Sequence, residues 1–340
     1  MKSALAAYDN FVFDFYGTLV DIHTNEYDDR LWEELAGFYG CYGAIYSGRE
    51  IHEAYNRLIK QQEEALAKAS QRTYPEVEQG RVFRALLEEA PKKRTAILAA
   101  PVSDGRSGRQ TAAFFGTANV RGRKMEETAA GRRAMTLTRE VAAAEALRGF
   151  RRDPWSEAAR LSSEGAAGTE SWSEERWEIW TTAVANFFRT ASRQRFAPYP
   201  HTEATLRELK EAGKRVYLLS NAQSIFTVPE IEEAGLYWYF DDIFISSEQQ
   251  VKKPDPSFLA ALMHRHSLLP SRTVMIGNDF FSDMGVAALC GVDGIFLNTD
   301  RYDNTEMQRR LSAMHEATGT HTQPRIIWDG DIGKILQKEA

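Results

Sequence analysis

The stretch Phe11-Val12-Phe13-Asp14-Phe15-Tyr16-Gly17-Thr18-Leu19-Val20-Asp21 decides the fold. Residues 11–14 form a short apolar run suited to a parallel strand buried on both faces, and the run ends in a carboxylate. Gly17 permits a tight turn, and Thr18 places a hydroxyl just beyond it. Open α/β sheets bind their ligands at the carboxyl ends of central strands, which makes Asp14 the first candidate site residue. Taken alone, Asp-x-x-Gly-Thr is also what an ordinary strand-to-helix turn with a capping Asp looks like. Three later stretches weigh against that plain reading.

Val216-Tyr217-Leu218-Leu219-Ser220-Asn221 is a second apolar strand, this one ending in a hydroxyl. Lys252-Lys253-Pro254-Asp255-Pro256 offers ammonium groups held by prolines, and Ile276-Gly277-Asn278-Asp279-Phe280-Phe281-Ser282-Asp283 is an acidic stretch after a third strand. In order and character the four stretches resemble motifs I to IV of the haloacid dehalogenase-like hydrolase superfamily, whose first motif usually reads Asp-x-Asp-Gly-Thr-Leu. The resemblance covers residues 8–90 and 172–300.

Outward from these motifs the pattern alternates. Strands are expected at Arg215–Leu219, Ile243–Ser246, Thr273–Ile276, Gly294–Leu297 and Ile326–Trp328, with helical patterns between most of them. Such alternation indicates an α/β fold with a doubly wound parallel sheet, the Rossmann-like core of the resembling superfamily. Residues 14, 220 and 279 would then converge at one edge. After motif I, Asp21–Asp29 is polar and is expected to loop out of the sheet. Three helical patterns follow: Leu31, Trp32, Leu35, Phe38, Tyr39; then Ile51, Ala54, Tyr55, Leu58, Ile59; then Val82, Phe83, Leu86, Leu87. Trp177, Trp180, Val184, Phe187 and Phe188 add a fourth stripe. Helices inserted at this point resemble the small helical cap of one branch of the superfamily, which closes over the site. The expected organisation is a core of residues 1–20 and 195–340, a cap of 21–90 and 172–194, and an insertion of 91–171. Tyr74-Pro75-Glu76 falls in a turn between cap helices, and its acid is expected to be solvated.

The insertion is rich in Ala, Arg and Gly, with basic clusters at Arg121-Gly122-Arg123-Lys124 and Arg151-Arg152 and one helical pattern at Leu137–Leu147. It is expected to be a mobile surface segment with too few apolar residues to offset its ordering entropy. The whole chain has 340 residues, 43% hydrophobic and 26% charged, with a net charge of −6. That composition is ordinary for a soluble globular protein and carries no global nucleic-acid signature. Two cysteines, Cys41 and Cys290, make no disulfide framework, and no run approaches the ~20 apolar residues of a membrane span. Met1–Asn10 lacks the apolar core of a secretion signal, so a cytoplasmic protein is expected.

The resemblance implies a role for each motif residue. Asp14 is the nucleophile that forms a covalent aspartyl intermediate, and Lys253, directly before Pro254, compensates its charge. Its neighbour Lys252 is the other candidate for that task. Thr18, Ser220 and Asn221 are the candidate substrate-binding residues, Ser220 through its hydroxyl and the residues after it through backbone N–H groups. Mg²⁺ is the implied cofactor, with Asp14, the backbone carbonyl of Tyr16, Asp279 and Asp283 around it. Asn278 stands where many relatives have Asp, so Asp279 is the preferred direct ligand and Asp283 a ligand or its support. The implied substrate is a small phosphorylated metabolite, with neither membrane nor nucleic acid as partner.

Tyr16 departs from the pattern. Phosphatases of the superfamily usually carry a general-acid Asp at that position, and a phenol with a pKa near ~10 shuttles protons poorly at neutral pH. The haloalkanoic-acid dehalogenases carry Asp-x-Tyr-Gly-Thr-Leu as well, yet they work without metal and have a less acidic last motif. Retention of Asp279 and Asp283 favours the phosphatase over the metal-independent 2-haloacid dehalogenase, with a catalytically silent binding protein as a third alternative. His23 or a cap residue is left as a possible proton source.

Overall fold

The computed structural model describes residues 4–91 and 172–337. The insertion's expected mobility, its basic clusters and its helix at Leu137–Leu147 lie outside the described residues.

Six strands form one parallel sheet: β1 (Asn10–Phe13), β4 (Arg215–Ser220), β5 (Asp242–Ile245), β6 (Thr273–Gly277), β7 (Asp293–Leu297) and β8 (Arg325–Ile327). Their spatial order is β5-β4-β1-β6-β7-β8, so the chain builds one half outward from β1 and then returns to build the other. β1 is the switch point, with Phe13 opposite Leu218 on one side and Ile276 on the other. Ligand crevices open at such a reversal. Every residue of β1 is buried, as a central strand with helices on both faces requires. Alternation sorts the side chains: Phe11 and Phe13 join one core with Val216, Leu218 and Ile276, whereas Val12 joins the other with Tyr217, Leu219 and Met275. Helices α5 (Thr202–Glu211) and α6 (Ser224–Glu233) cover the first face. Helices α7 (Pro256–His266) and α8 (Asn304–Thr318) cover the second.

The cap has its own apolar core. Helices α1 (Asp29–Gly40), α2 (Gly48–Ser70), α3 (Gln79–Glu88) and α4 (Glu174–Ser192) enclose Trp32, Tyr39, Phe83, Trp180 and Phe188. Local sequence starts these helices well. Asp28 caps α1 by accepting from the Arg30 N–H, and Ser47 with Glu50 forms a capping box on α2.

One expectation fails at the cap's root. Asp21–Asp29 was expected to be a loop, but Val20–Thr24 forms strand β2, antiparallel to β3 (Arg193–Pro198). Val20 and Ile22 alternate with Asp21 and His23, a period-two pattern too short to stand out, and Ile22 sits opposite Phe196. The ribbon sets the chain's exit to the cap beside its return.

Candidate active site

Asp14 lies one residue beyond β1, and its N–H donates to the Ile276 carbonyl at 2.9 Å, an extension of the sheet pairing. The turn that follows needs Gly17 twice over. Its φ is +76°, and a Cβ there would sit inside the Asn278 amide. Thr18, fully buried, directs its hydroxyl to Asp14 Oδ2 at 3.4 Å and to Asn278 Oδ1 at 3.3 Å.

Two groups meet Asp14 from neighbouring segments. Ser220, at the end of β4, donates its hydroxyl to Asp14 Oδ1 at 3.0 Å. Lys253 donates to the same oxygen at 2.7 Å, to Asp283 Oδ1 at 2.6 Å and to the Leu219 carbonyl at 2.7 Å. All three ammonium protons are thereby committed, and the residue is 3% exposed. Asp283, 1% exposed, uses its other oxygen to accept the Asp279 N–H at 3.0 Å. A Cβ at Gly277 would occupy the place of the Asp283 carboxylate, so glycine there is what admits the acid. Burial works against the Lys253 ammonium, but Asp14 and Asp283 together hold its pKa above the ordinary lysine value. Burial pushes Asp283 up to about 7, with Lys253 opposing and the charge of Asp14 adding to the rise.

Of the two lysines, Lys253 touches Asp14, while Lys252 points to Glu63 at 3.5 Å. Asn221 reaches the site indirectly. Its amide accepts the Lys253 N–H at 2.7 Å and donates to the Lys253 carbonyl at 3.0 Å, so its side chain holds the lysine's backbone. The Ala222 N–H after it is already taken by Ser246 Oγ at 2.8 Å.

Asp279 and Asp283 do not present two carboxylates to one point. Asp279 caps a π-helical turn, Phe280–Met284, its Oδ1 accepting the Ser282 N–H at 2.6 Å, and Asp283 lies within that turn. Among the described residues no three His, Cys, Asp or Glu side chains form a group able to hold a metal ion. The chemistry of the donors still suits a hard divalent cation. Asp14 and Asp283 share the single ammonium of Lys253, and Asp279 lies beside Asp283, which leaves a surplus of negative charge among oxygen donors. Asp283 has both oxygens engaged by Lys253 and Asp279, which separates it from any direct ligand set.

The Tyr16 side chain turns toward the cap. Its hydroxyl donates to Glu230 Oε2 at 2.5 Å and lies 2.9 Å from Thr227 Oγ1. Glu230 also receives Arg189 of α4 in a two-pronged pair at 2.8 and 3.0 Å. Burial first, then the charge of Glu230, drives the Tyr16 pKa well above its ordinary value. His23 offers no alternative acid within the site, because its side chain is 65% exposed and turned to Asp21. Glu76 is a further departure from expectation. It is half-buried, accepting from Gln223 and Ser246 at 3.1 Å each, and burial raises its pKa. Arg189, Glu230, Gln223 and Ser246 carry no motif signature. Arg189 could have been noticed only as a charge on the otherwise apolar stripe of α4.

A carboxylate at the switch point of a parallel sheet, braced by a buried lysine and a strand-end serine under a helical cap, defines a hydrolase site on a Rossmann-like α/β core. The chain belongs to the haloacid dehalogenase-like hydrolase family, whose model matches residues 8–291. It is 31% identical over 103 residues to a glyceraldehyde 3-phosphate phosphatase of Methanothermobacter thermautotrophicus, a match spanning 30% of this chain and 46% of that enzyme. It is 30% identical over 112 residues to a phosphoserine phosphatase of Thermus thermophilus, spanning 33% and 44%. The chain thus spans about half the length of these curated relatives. Among solved structures, an L-2-haloacid dehalogenase from Xanthobacter autotrophicus overlays with a TM-score of 0.44 at 16% identity, covering 98% of this chain and 100% of that one. No helix among the described residues is long and apolar enough to cross a membrane.

Proposed function

We propose that the chain is a Mg²⁺-dependent phosphomonoesterase acting on a small phosphorylated metabolite through an aspartyl-phosphate on Asp14. The observation that carries this reading is the charge surplus at the site, where Lys253 is shared between Asp14 and Asp283 and Asp279 stands beside them. Phosphatases among the curated relatives point the same way. Asp14 Oδ1 is held by Ser220 and Lys253, whereas Oδ2 has only the long Thr18 contact, so Oδ2 keeps lone pairs for the incoming group. Attack on phosphorus forms the Asp14–phosphorus bond and expels the leaving oxygen with its electron pair; water then releases phosphate. Lys253 and the Ser220 hydroxyl, with their protons engaged, hold the Asp14 carboxylate in line for the attack. Mg²⁺ would be held by Asp14, the Tyr16 carbonyl and Asp279, with Asp283 behind them, and would neutralise charge between nucleophile and phosphoryl oxygens.

With Tyr16 tied to Glu230, the leaving group receives no proton from that position. Aryl and acyl phosphates are therefore the favoured substrates, because their leaving anions are stable without one. A second reading, metal-independent dehalogenation, rests on Tyr16 itself and on the neutral Asn278 beside Thr18. The deciding experiment is hydrolysis of an aryl phosphate with and without Mg²⁺, an Asp14→Asn control, and 2-chloropropionate in parallel. Mg²⁺-dependent phosphate release lost in the control is the expected result. Metal-independent chloride release would replace it with the dehalogenase. Silence in both assays would leave a binding protein built on the hydrolase fold.

A further inference from the structure

The cap turn 72–79 is stitched to the core at two places, and both flank candidate site residues. Toward the Lys253 side, the Tyr74 carbonyl accepts the Lys252 N–H at 3.0 Å, and Pro75 bridges Val251 in antiparallel fashion. Arg72 donates to the Gln249 and Gln250 carbonyls at 2.8 and 2.9 Å. Toward the Ser220 side, the Gln79 N–H donates to Gln223 Oε1 at 2.7 Å, and Gln223 Nε2 donates to the Val77 carbonyl at 2.9 Å. Glu76 sits between the two sets. Its Oε1 takes the second proton of the Gln223 amide, and its Oε2 lies 3.1 Å from Ser246 Oγ. Ser246, fully buried, in turn receives the Ala222 N–H, two residues past Ser220. Asn221 then joins this turn to both backbone groups of Lys253.

We propose that Glu76 is a positioning residue for the active site: through Gln223 and Ser246 it fixes the 221–223 turn, and that turn holds Ser220 and Lys253 on Asp14. The inference rests on the hydrolase reading above. The carboxylate suits the task because it accepts at both oxygens, where an amide accepts at one and would oppose a donor with its NH₂. Burial raises the Glu76 pKa, with the charge of Lys252 opposing and that of Glu63 adding to the rise. Catalytic geometry tolerates little slack, and a displacement of about 1 Å can cost on the order of 100-fold in rate.

The test uses the full chain with Glu76→Gln, Glu76→Ala and Ser246→Ala, and Arg84→Ala as a cap-surface control remote from the clasp. Two readouts are taken: turnover of an aryl phosphate (or of 2-chloropropionate, whichever the wild type hydrolyses) and hydrogen exchange at the Ala222 and Lys252 amides. The expected result is a kcat lower by about 10-fold or more in all three clasp variants, with KM little changed. Exchange at Ala222 should be faster in the same variants, with the Arg84 control like wild type. Faster exchange with an unchanged kcat would overturn the proposal, as would unchanged exchange in Glu76→Ala. Glu76→Gln keeps the shape of the side chain, so a folding failure of the alanine variants would not rescue the idea. A wild type silent on both substrates would bring down the hydrolase reading and the proposal with it, an outcome distinct from an active wild type with equally active variants.

Discussion

At the carboxyl edge of the sheet, Ser220, Asp14, Lys253 and Asp283 are buried and joined in that order by hydrogen bonds. In the cap interior, the buried side chains are Trp32, Tyr39, Phe83, Trp180 and Phe188, and the phenols there donate to backbone, Tyr39 to the Phe83 carbonyl and Tyr46 to that of Leu86. The cap gains its stability from apolar burial, as an isolated helical layer must. The core accepts buried charge, which stabilises poorly by itself because desolvation offsets the attraction. Charge placed where it does little for folding is the mark of a site. Between the two lies a seam, Arg189–Glu230–Tyr16 on one side and Glu76–Ser246 on the other, where cap charge meets core charge.

The largest expected effect comes from Lys253→Met. The variant leaves Asp14 and Asp283 buried without their shared cation, and breaking a buried pair costs about 3–5 kcal/mol. Loss of the positioning ammonium should also lower kcat by at least about 10²-fold. Denaturant titration and aryl phosphate turnover check the two parts. A stable, inactive protein would mean that the lysine serves chemistry alone, and a stable, active one would break the contrast between core and cap.

Next comes Arg189→Met at the seam. Glu230, whose side chain is 4% exposed, would lose its two-pronged partner and keep Arg193 at 3.2 Å as its remaining cation, beside the Tyr16 hydroxyl. The loss should fall near the lower end of the same range, about 3 kcal/mol. A loss below about 1 kcal/mol in thermal or denaturant unfolding would place this pair with ordinary surface ion pairs.

Most of the core was readable from the sequence because a parallel strand buried on both faces cannot be anything but apolar. The runs at Phe11, Val216 and Thr273 therefore announced themselves, and each ended in a polar residue that the sheet brings to one edge. The strand β2 escaped because five residues of alternation at the rim resemble a loop. The seam escaped for a different reason. Glu76 reads as a solvated turn acid and Glu230 carries no motif signal, and the docking of cap on core is what half-buries the first and pairs the second with Arg189. Asn221 was identified by position but not by contact, since an amide beside a site can face a ligand or hold a neighbour's backbone, and sequence does not distinguish the two.

Tyr16 gives the smallest expected change and the sharpest division between the two regions. Tyr16→Phe removes the hydroxyl bonded to Glu230, and with Arg189 and Arg193 still on that carboxylate the cost should be about 1 kcal/mol. The phenol's pKa lies well above 10, raised by burial and by Glu230. Any stability it contributes through that shift is fully present below the unfolded pKa and would be lost only as pH rises through the folded one. Tyr16→Phe should therefore leave the pH profile of aryl phosphate turnover in place through neutrality and into mild alkali, with kcat within about twofold of wild type. A profile that loses its alkaline limb in the variant would make Tyr16 the proton donor and assign it to the chemistry of the core. An unchanged profile, with Tyr16→Asp gaining activity on alkyl phosphates, would place it with the cap: a motif residue turned from proton transfer to holding the seam.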